Sequence, residues 1–290
     1  MINKKYHESV MVREVVENLH INNQAKYIDA TLGTGGHSLE IIKAGGEVLG
    51  IEADPAMLAV ASKRFEIEIG DRESYRLVNG NFSGIDKIAR DNDFNEVAGI
   101  ILDLGVTNLH LTGMDRGFSF SNSNLNSDLD MRLNPQTQGV KASDLLNALR
   151  GDQLTDLFKV TMEGGSARWL STRIIEGRPI KTVGDFNHIA YGIKHKPGLN
   201  PLTLPFLALR IAVNNELDNL ETVLPKAFKL LRTGGRLLVI SFHSGEDRIV
   251  KKFRQNLPAG SQDKLVLPSS EEVEKNPRSR SAKLRVFVKL

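Results

Sequence analysis

The stretch Tyr27-Ile28-Asp29-Ala30-Thr31-Leu32-Gly33-Thr34-Gly35-Gly36-His37-Ser38 decides the fold. Tyr27 to Thr31 carries the β-leaning residues of a buried strand, the three glycines permit a tight turn and close ligand approach, and a helical pattern opens at Ser38. Strand, glycine turn and helix in that order predict a βαβ unit with a ligand over the turn. The dinucleotide fingerprint G-x-G-x-x-G is met only as Gly33-x-Gly35-x-x-Ser38, so the glycine that packs helix on strand is missing. No G-x-x-x-x-G-K-[ST] run supplies the lysine and hydroxyl that hold phosphate and magnesium. The bound group need not be a phosphate. The alternative is an ordinary βαβ turn whose glycines serve shape alone.

The next strand, Glu47 to Ile51, leads into Glu52, an acid about 20 residues past the first glycine, where a ribose diol is gripped in nucleoside sites. An aspartate before a GxGG loop, a carboxylate closing the second strand and no phosphate apparatus together resemble the S-adenosylmethionine site of a class I methyltransferase. Further strands are expected at Tyr75–Val78 and Val97–Leu102, the latter an almost unbroken apolar run that delivers Asp103 to the ligand edge of a parallel sheet. Phe82, just past the third strand, is placed to lie on an adenine ring or to serve as a core phenylalanine.

After Asp103 the βα rhythm fails. Residues 107 to about 140 are rich in Asn, Ser, Gly and Asp, and from Ser143 to about Ala190 the pattern is helical, with Trp169, Ile174 and Ile175 supplying apolar contacts. Residues 113–200 are therefore expected to form an inserted helical lid or substrate-recognition domain, and 1–112 with 201–290 the cofactor-binding domain. Lys194 to Pro205, with three prolines, is the expected return linker, and Pro225 is expected to divide the long helical segment from Phe206. A fifth strand follows at Gly234–Ser241, then a helix opening on the capping-box-like Ser244-Gly245-Glu246-Asp247. Lys264–Leu267 and Lys283–Leu290 read as a closing antiparallel pair. The fold expected is α/β, a Rossmann-like, mostly parallel seven-stranded sheet with an all-helical insert.

With 290 residues the chain can bury a core without staples, and it has no cysteine. Disulfides, zinc knuckles and iron–sulfur clusters are excluded, as is methylation of pyrimidine C5 through a cysteine adduct. The seven histidines are scattered without an H-E-x-x-H cluster, so no metal site is expected. Met1 to Glu8 lacks a signal-peptide apolar region and no run is long enough to span a bilayer, so a cytoplasmic protein without membrane partners is expected. Residues 1–112 hold 11 basic and 17 acidic groups and residues 244–290 hold 11 and 6, which makes the C-terminal end the better nucleic-acid face or an ordinary solvated surface.

Several stretches occur in one order: Asp29–Ser38, Asp103-Leu104-Gly105-Val106, Arg116-Gly117-Phe118-Ser119-Phe120, Leu129-Asp130-Met131-Arg132, Ala208–Asn214, Ser241-Phe242-His243-Ser244-Gly245-Glu246-Asp247-Arg248 and Asn276-Pro277-Arg278-Ser279-Arg280-Ser281. Over essentially its whole length the chain resembles the bacterial ribosomal RNA small subunit methyltransferase H family. The resemblance implies S-adenosyl-L-methionine as cofactor and N4-methylation of a cytidine in the decoding region of 16S ribosomal RNA. It also implies small-subunit RNA within an assembled 30S subunit as partner, with the chain acting as monomer or dimer. The family's cofactor contacts fall on Gly35, Gly36, His37, Glu52, Phe82 and Asp103, beside Asp29 and Gly33 of the same loop. A further family contact, a glutamine, is replaced by His110. Substrate-side departures are Gly165-Ser166-Ala167-Arg168 for a GEER-like segment and Asn200-Pro201-Leu202-Thr203-Leu204 for HPATR. They leave methyl transfer to another RNA or DNA amine, or a non-catalytic assembly role, as alternatives.

A cytosine amine is a weak nucleophile because its lone pair is delocalised, so an acceptor for its N–H and in-line placement are needed. Asp103 is the catalytic candidate, with a cap or cofactor-binding acid as its alternative. His243 can touch the base or its phosphate, or be a hydrogen-bonded structural group. Arg116, Arg132, Arg210, Arg248, Lys251, Lys252, Arg278, Arg280 and Lys283 are candidates for RNA phosphate contact. Phe118 and Phe120 either stack on an extruded base or anchor the long loop.

Overall fold

The computed structural model describes residues 9–105, 107, 109–110, 115–195, 198–257 and 261–290. Expectations resting on Met1–Glu8, Val106, Asn108, Lys196 and Pro197 lie outside them. The opening stretch supplies strand β1 (Lys26–Asp29). It is followed by β2 (Glu47–Glu52), β3 (Tyr75–Asn79), β4 (Val97–Asp103), β5 (Leu231–Ser241), β6 (Gln262–Val266) and β7 (Lys283–Val288). Among the described residues these form one seven-stranded sheet in the order β3-β2-β1-β4-β5-β7-β6. The first five are parallel, and β7 runs antiparallel between β5 and β6. The order reverses between β1 and β4, so the loops leaving their carboxyl ends diverge and open a crevice there.

Both faces of the sheet are covered, which is why Val97–Leu102 could be apolar throughout. On one face Ile28, Leu49, Ile100 and Val239 pack with Ile85 and Ala89 of helix α4 (Ile85–Asp91). On the other, Tyr27, Val48, Ile101 and Leu238 pack with Val15 and Leu19 of α1 (Val12–Leu19). Each such side chain, fully enclosed, contributes on the order of 2 kcal/mol. Helix α2 (Gly36–Lys43) follows the glycine turn, and α3 (Pro55–Glu68) starts with proline at its first position, where Asp54 accepts from Ala56 N at 2.8 Å.

The chain divides into two compact units, Met1–Thr107 with Leu217–Leu290, and Asn108–Glu216. The second unit reaches past residue 200 and takes in α5 (Ala142–Ala148), α6 (Gly151–Lys159), α7 (Gly164–Glu176), α8 (Val183–Ala190) and α9 (Thr203–Asn214). Its interior is aromatic: Phe186 lies 6.4 Å from Phe158 and 5.5 Å from Phe206, ring centre to ring centre. On α7 the buried stripe is Ala167, Leu170, Ser171 and Ile174. Of the residues expected to supply apolar contacts, Ile174 does lie on the stripe, whereas Trp169 and Ile175 fall off it and are 39% and 41% exposed.

The polar segment before α5 is held by a pair within it and by the last residue of α9. Arg132 grips Asp130 through two nitrogens at 2.6 and 2.8 Å, and Asn214 accepts from Leu133 N and donates to Met131 O.

Two expected boundaries move. The return linker ends early, because α9 begins at Thr203 and takes Leu204 and Pro205 into its first turn, where a proline is tolerated. Pro225 does not divide the following helix. The break falls at Asn215, left-handed at φ 51°, and Pro225 lies inside α10 (Glu216–Leu230). A proline there costs about 3 kcal/mol, which the burial of Leu220, Val223, Leu224, Ala227 and Phe228 outweighs. Helices α11 (Ser244–Gln255) and α12 (Ser270–Lys275) complete the first unit. Among the described residues no helix is long and apolar enough to cross a membrane.

Candidate active site

Asp29 closes β1 with its carboxylate buried. Oδ1 accepts from Thr31 N at 3.2 Å and Oδ2 from the Ser38 hydroxyl at 2.7 Å, tying the strand end to the first turn of α2. Burial pushes its carboxyl up, against the pull of His37 and these hydrogen bonds. Gly33 and Gly35 hold left-handed φ of +55° and +82°. A Cβ on Gly35 would lie 2.2 Å from Phe65 Cε2, and one on Gly36 would lie 2.1 Å from Ser9 Oγ. Both glycines therefore answer to close packing of the loop on its own protein.

Glu52 ends β2 and is folded under the same loop. Its Oε2 accepts from Gly33 N at 2.7 Å and its Oε1 from Asp54 N at 2.8 Å. Burial raises its carboxyl to about 7 in spite of those two donors. Each oxygen keeps a lone pair for a ligand hydroxyl.

Asp103 ends β4, and its backbone N–H donates to Thr31 Oγ1 at 2.6 Å. Its Oδ2 lies 3.8 Å from His37 Nδ1, while its buried Oδ1 has no hydrogen-bond partner. Burial pushes this carboxyl up to about 7, His37 opposing and Asp29 and Glu246 adding. Nε2 of the buried His37 lies 2.9 Å from Val10 O, and a carbonyl only accepts, so Nε2 carries hydrogen and Nδ1 is left toward Asp103.

Three acids thus stand at the ends of β1, β2 and β4, and among the described residues no lysine or arginine pairs with them. Thr34 Oγ1 is a second buried polar atom without a partner in this loop. Phe82, half-buried in the turn Phe82–Gly84 and packed against the core, completes the edge. S-adenosylmethionine fits this set: a diol for Glu52, an aromatic ring for Phe82, and cationic groups for an acid left without a counter-charge at Oδ1. Thr31, Thr34 and Glu246 were not singled out in the sequence. The β-branched hydroxyls between Asp29 and Gly35 are the signal that could have pointed to the first two.

At the end of β5, the cap of α11 is His243, not Ser244. Its Nδ1 accepts from Gly245 N at 3.2 Å and Glu246 N at 3.4 Å, and Glu246 Oε2 accepts in turn from His243 N at 3.2 Å. His243 Nε2 lies 3.1 Å from Glu246 Oε1, out of line for a hydrogen bond. A cavity of about 430 Å³ opens beside it, lined by Phe242, His243, Ser244, Arg280, Ser281 and Lys283. Arg248, Arg278 and Arg280 are exposed around this end, whereas Lys283 and Lys251 both hold Asp247 at 3.1 Å.

In the second unit the expected RNA contacts are largely engaged in structure. Arg132 is clamped by Asp130, Arg210 is bidentate on Glu216 at 2.8 and 2.9 Å, and Arg116 donates to Arg132 O and Leu133 O at 3.0 Å. Phe118 is buried, its ring 5.2 Å from that of the buried His110, and Phe120 sits edge-on to Phe206 at 5.2 Å. Both phenylalanines make ring contacts within the second unit. Among the described residues no group of three or more His, Asp or Glu could hold a metal ion.

A family model described as the MraW methylase family matches residues 4–290. The chain belongs to that family. Curated relatives bear the name ribosomal RNA small subunit methyltransferase H. The one from Coprothermobacter proteolyticus is 37% identical over all of this chain and 98% of its own length. That from Thermotoga neapolitana is 39% identical over 97% of this chain and 95% of its own, and that from Crocosphaera subtropica 40% identical over 96% and 88%. A solved structure of a Streptococcus mutans protein, described as a methyltransferase in complex with SAH, matches over the whole of both chains with a TM-score of 0.50 and 12% identity. At that identity the likeness speaks of the fold, which is the class I methyltransferase fold, a Rossmann-like mixed sheet with helical insertions. The MraW family member described here has, at the topological switch point of that fold, an acid with one carboxylate oxygen lacking a hydrogen-bond partner.

Proposed function

We propose that this chain is an S-adenosylmethionine-dependent methyltransferase acting on the N4 amine of a cytidine in small-subunit ribosomal RNA. The observation that carries the reading is Asp103 Oδ1, buried, unpartnered and at the β1/β4 switch point of a MraW family chain. Glu52 would hold the ribose diol and Phe82 the adenine, with Asp103 at the reacting end. When bound, the cofactor supplies a methyl group on a sulfonium centre. Asp103 Oδ1 accepts an N–H of the substrate amine, which holds the nitrogen in place, and as a carboxylate, its proton displaced when the cationic cofactor is bound, it is free to take up the amine proton. His243, fixed by its cap bonds, orients the β5 end. The exposed Arg248, Arg278 and Arg280 meet RNA phosphates there, and the assembled small subunit is the substrate form we infer.

The test is methyl transfer from labelled S-adenosylmethionine to purified small subunits of a strain lacking the gene, followed by separation of the nucleosides. Label in N4-methylcytidine is the expected result. Label in a different nucleoside would move the target, in keeping with the changed segments Gly165–Arg168 and Asn200–Leu204.

A further inference from the structure

Trp169 is the chain's single tryptophan, and it stands 39% exposed on α7 although the helix buries its core stripe without it. A lone exposed aromatic carries no argument by itself, but this one sits at a cavity. It lines a cavity of about 420 Å³ within the second unit, together with Glu163, Ser166, Gly192, Ile193 and Lys194. No atom lies within 4 Å of a Cβ built on Gly165 or Gly192, so the cavity has open space at both.

The chemistry around the ring is that of a nucleic-acid site. The Arg173 guanidinium lies over the indole at 5.8 Å, Lys194 of the lining is exposed, and so is Arg168, which precedes Trp169 in the chain. From Glu163 to Asn200 the chain holds six Lys or Arg against three Asp or Glu. An aromatic platform with cations at its margin is how proteins hold single-stranded RNA, the base stacking on the ring and the backbone following the charge. Glu163 inside the cavity repels a phosphate and accepts from an exocyclic amine, which sorts base inward and backbone outward.

We propose that this cavity takes an unpaired RNA base stacked on Trp169, with Lys194 and Arg168 on the adjoining phosphates. The site rests on the RNA reading above and adds to it a second hold on the substrate strand.

Because Trp169 is alone, its intrinsic fluorescence reports the site directly. Titration with short oligocytidylate should quench it. Lys194→Ala and Arg168→Ala together should weaken that binding about tenfold and flatten its salt dependence. Inorganic polyphosphate, which carries charge without bases, should leave the emission unchanged. Trp169→Leu should raise the KM for small subunits severalfold and leave kcat nearly as it was. No quenching, equal quenching by polyphosphate, or indifference to the two basic substitutions would overturn the site. Methyl transfer to small subunits with no quenching would remove this inference and keep the function. Quenching without methyl transfer to any RNA would do the reverse.

Discussion

Two acids in the first unit, the partly buried Asp103 and the buried Asp247, are treated in opposite ways. Asp247 is met by Arg285 Nε at 2.9 Å and by Lys283 and Lys251 at 3.1 Å. Burial works to raise it, but those hydrogen bonds outweigh burial and hold its carboxyl at about 2. Asp103 has one histidine nitrogen at 3.8 Å and an oxygen with no partner, and its carboxyl sits at about 7. The fold supplies three cations where it needs a clasp between α11 and β7, and, among the described residues, no lysine or arginine pairs with the acids where β1 and β4 part. An acid left short of positive charge in a buried edge calls for a ligand that brings it.

Asp103→Asn should separate the two most sharply. Methyl transfer is expected to fall about 10²- to 10⁴-fold, while thermal stability at pH 8 stays the same or rises, because a buried charge is removed. A variant that kept full activity would erase the distinction. Asp247→Asn should act the other way, costing about 3–5 kcal/mol by leaving the buried Arg285 uncompensated, which a denaturant titration would measure. Gly35→Ala tests the loop beneath the acids: a Cβ 2.2 Å from the Phe65 ring, at left-handed φ, should cost about 1–3 kcal/mol.

The pH profile carries the same comparison into stability. Asp103 and Glu52 titrate near 7 in the native state and near 4 when unfolded, so between those values the native state binds more protons. Their contribution to stability therefore falls as pH rises from about 4 to about 7. Asp247, held down, stabilises above about 4 and loses that contribution as pH drops toward 2. Melting temperatures should fall as pH rises from about 4 toward 7, and by less as pH drops from about 4 toward 2.

Much of this was legible in the residues. The apolar run before Asp103, the glycine turn after Asp29 and the acid at Glu52 are local patterns, and a strand period or a turn needs only its own residues to declare itself. What stayed hidden depends on neighbours far along the chain. That Phe65 and Ser9 fill the space beside Gly35 and Gly36, that His243 is held as a helix cap, and that Trp169 falls outside the stripe of α7 are consequences of packing. Pro225 misled because a breaker's cost is local while the burial that overrides it is not.

The most direct test of the account is the proton count on cofactor binding. S-adenosylmethionine should be titrated by calorimetry at pH 7 in buffers of different ionisation enthalpy, with Asp103→Asn alongside. A cationic ligand beside carboxyls that titrate near 7 should drive protons off, so net release is predicted for the native chain and less for the variant. Binding without proton release, equal in both proteins, would contradict an acid held uncompensated for its ligand.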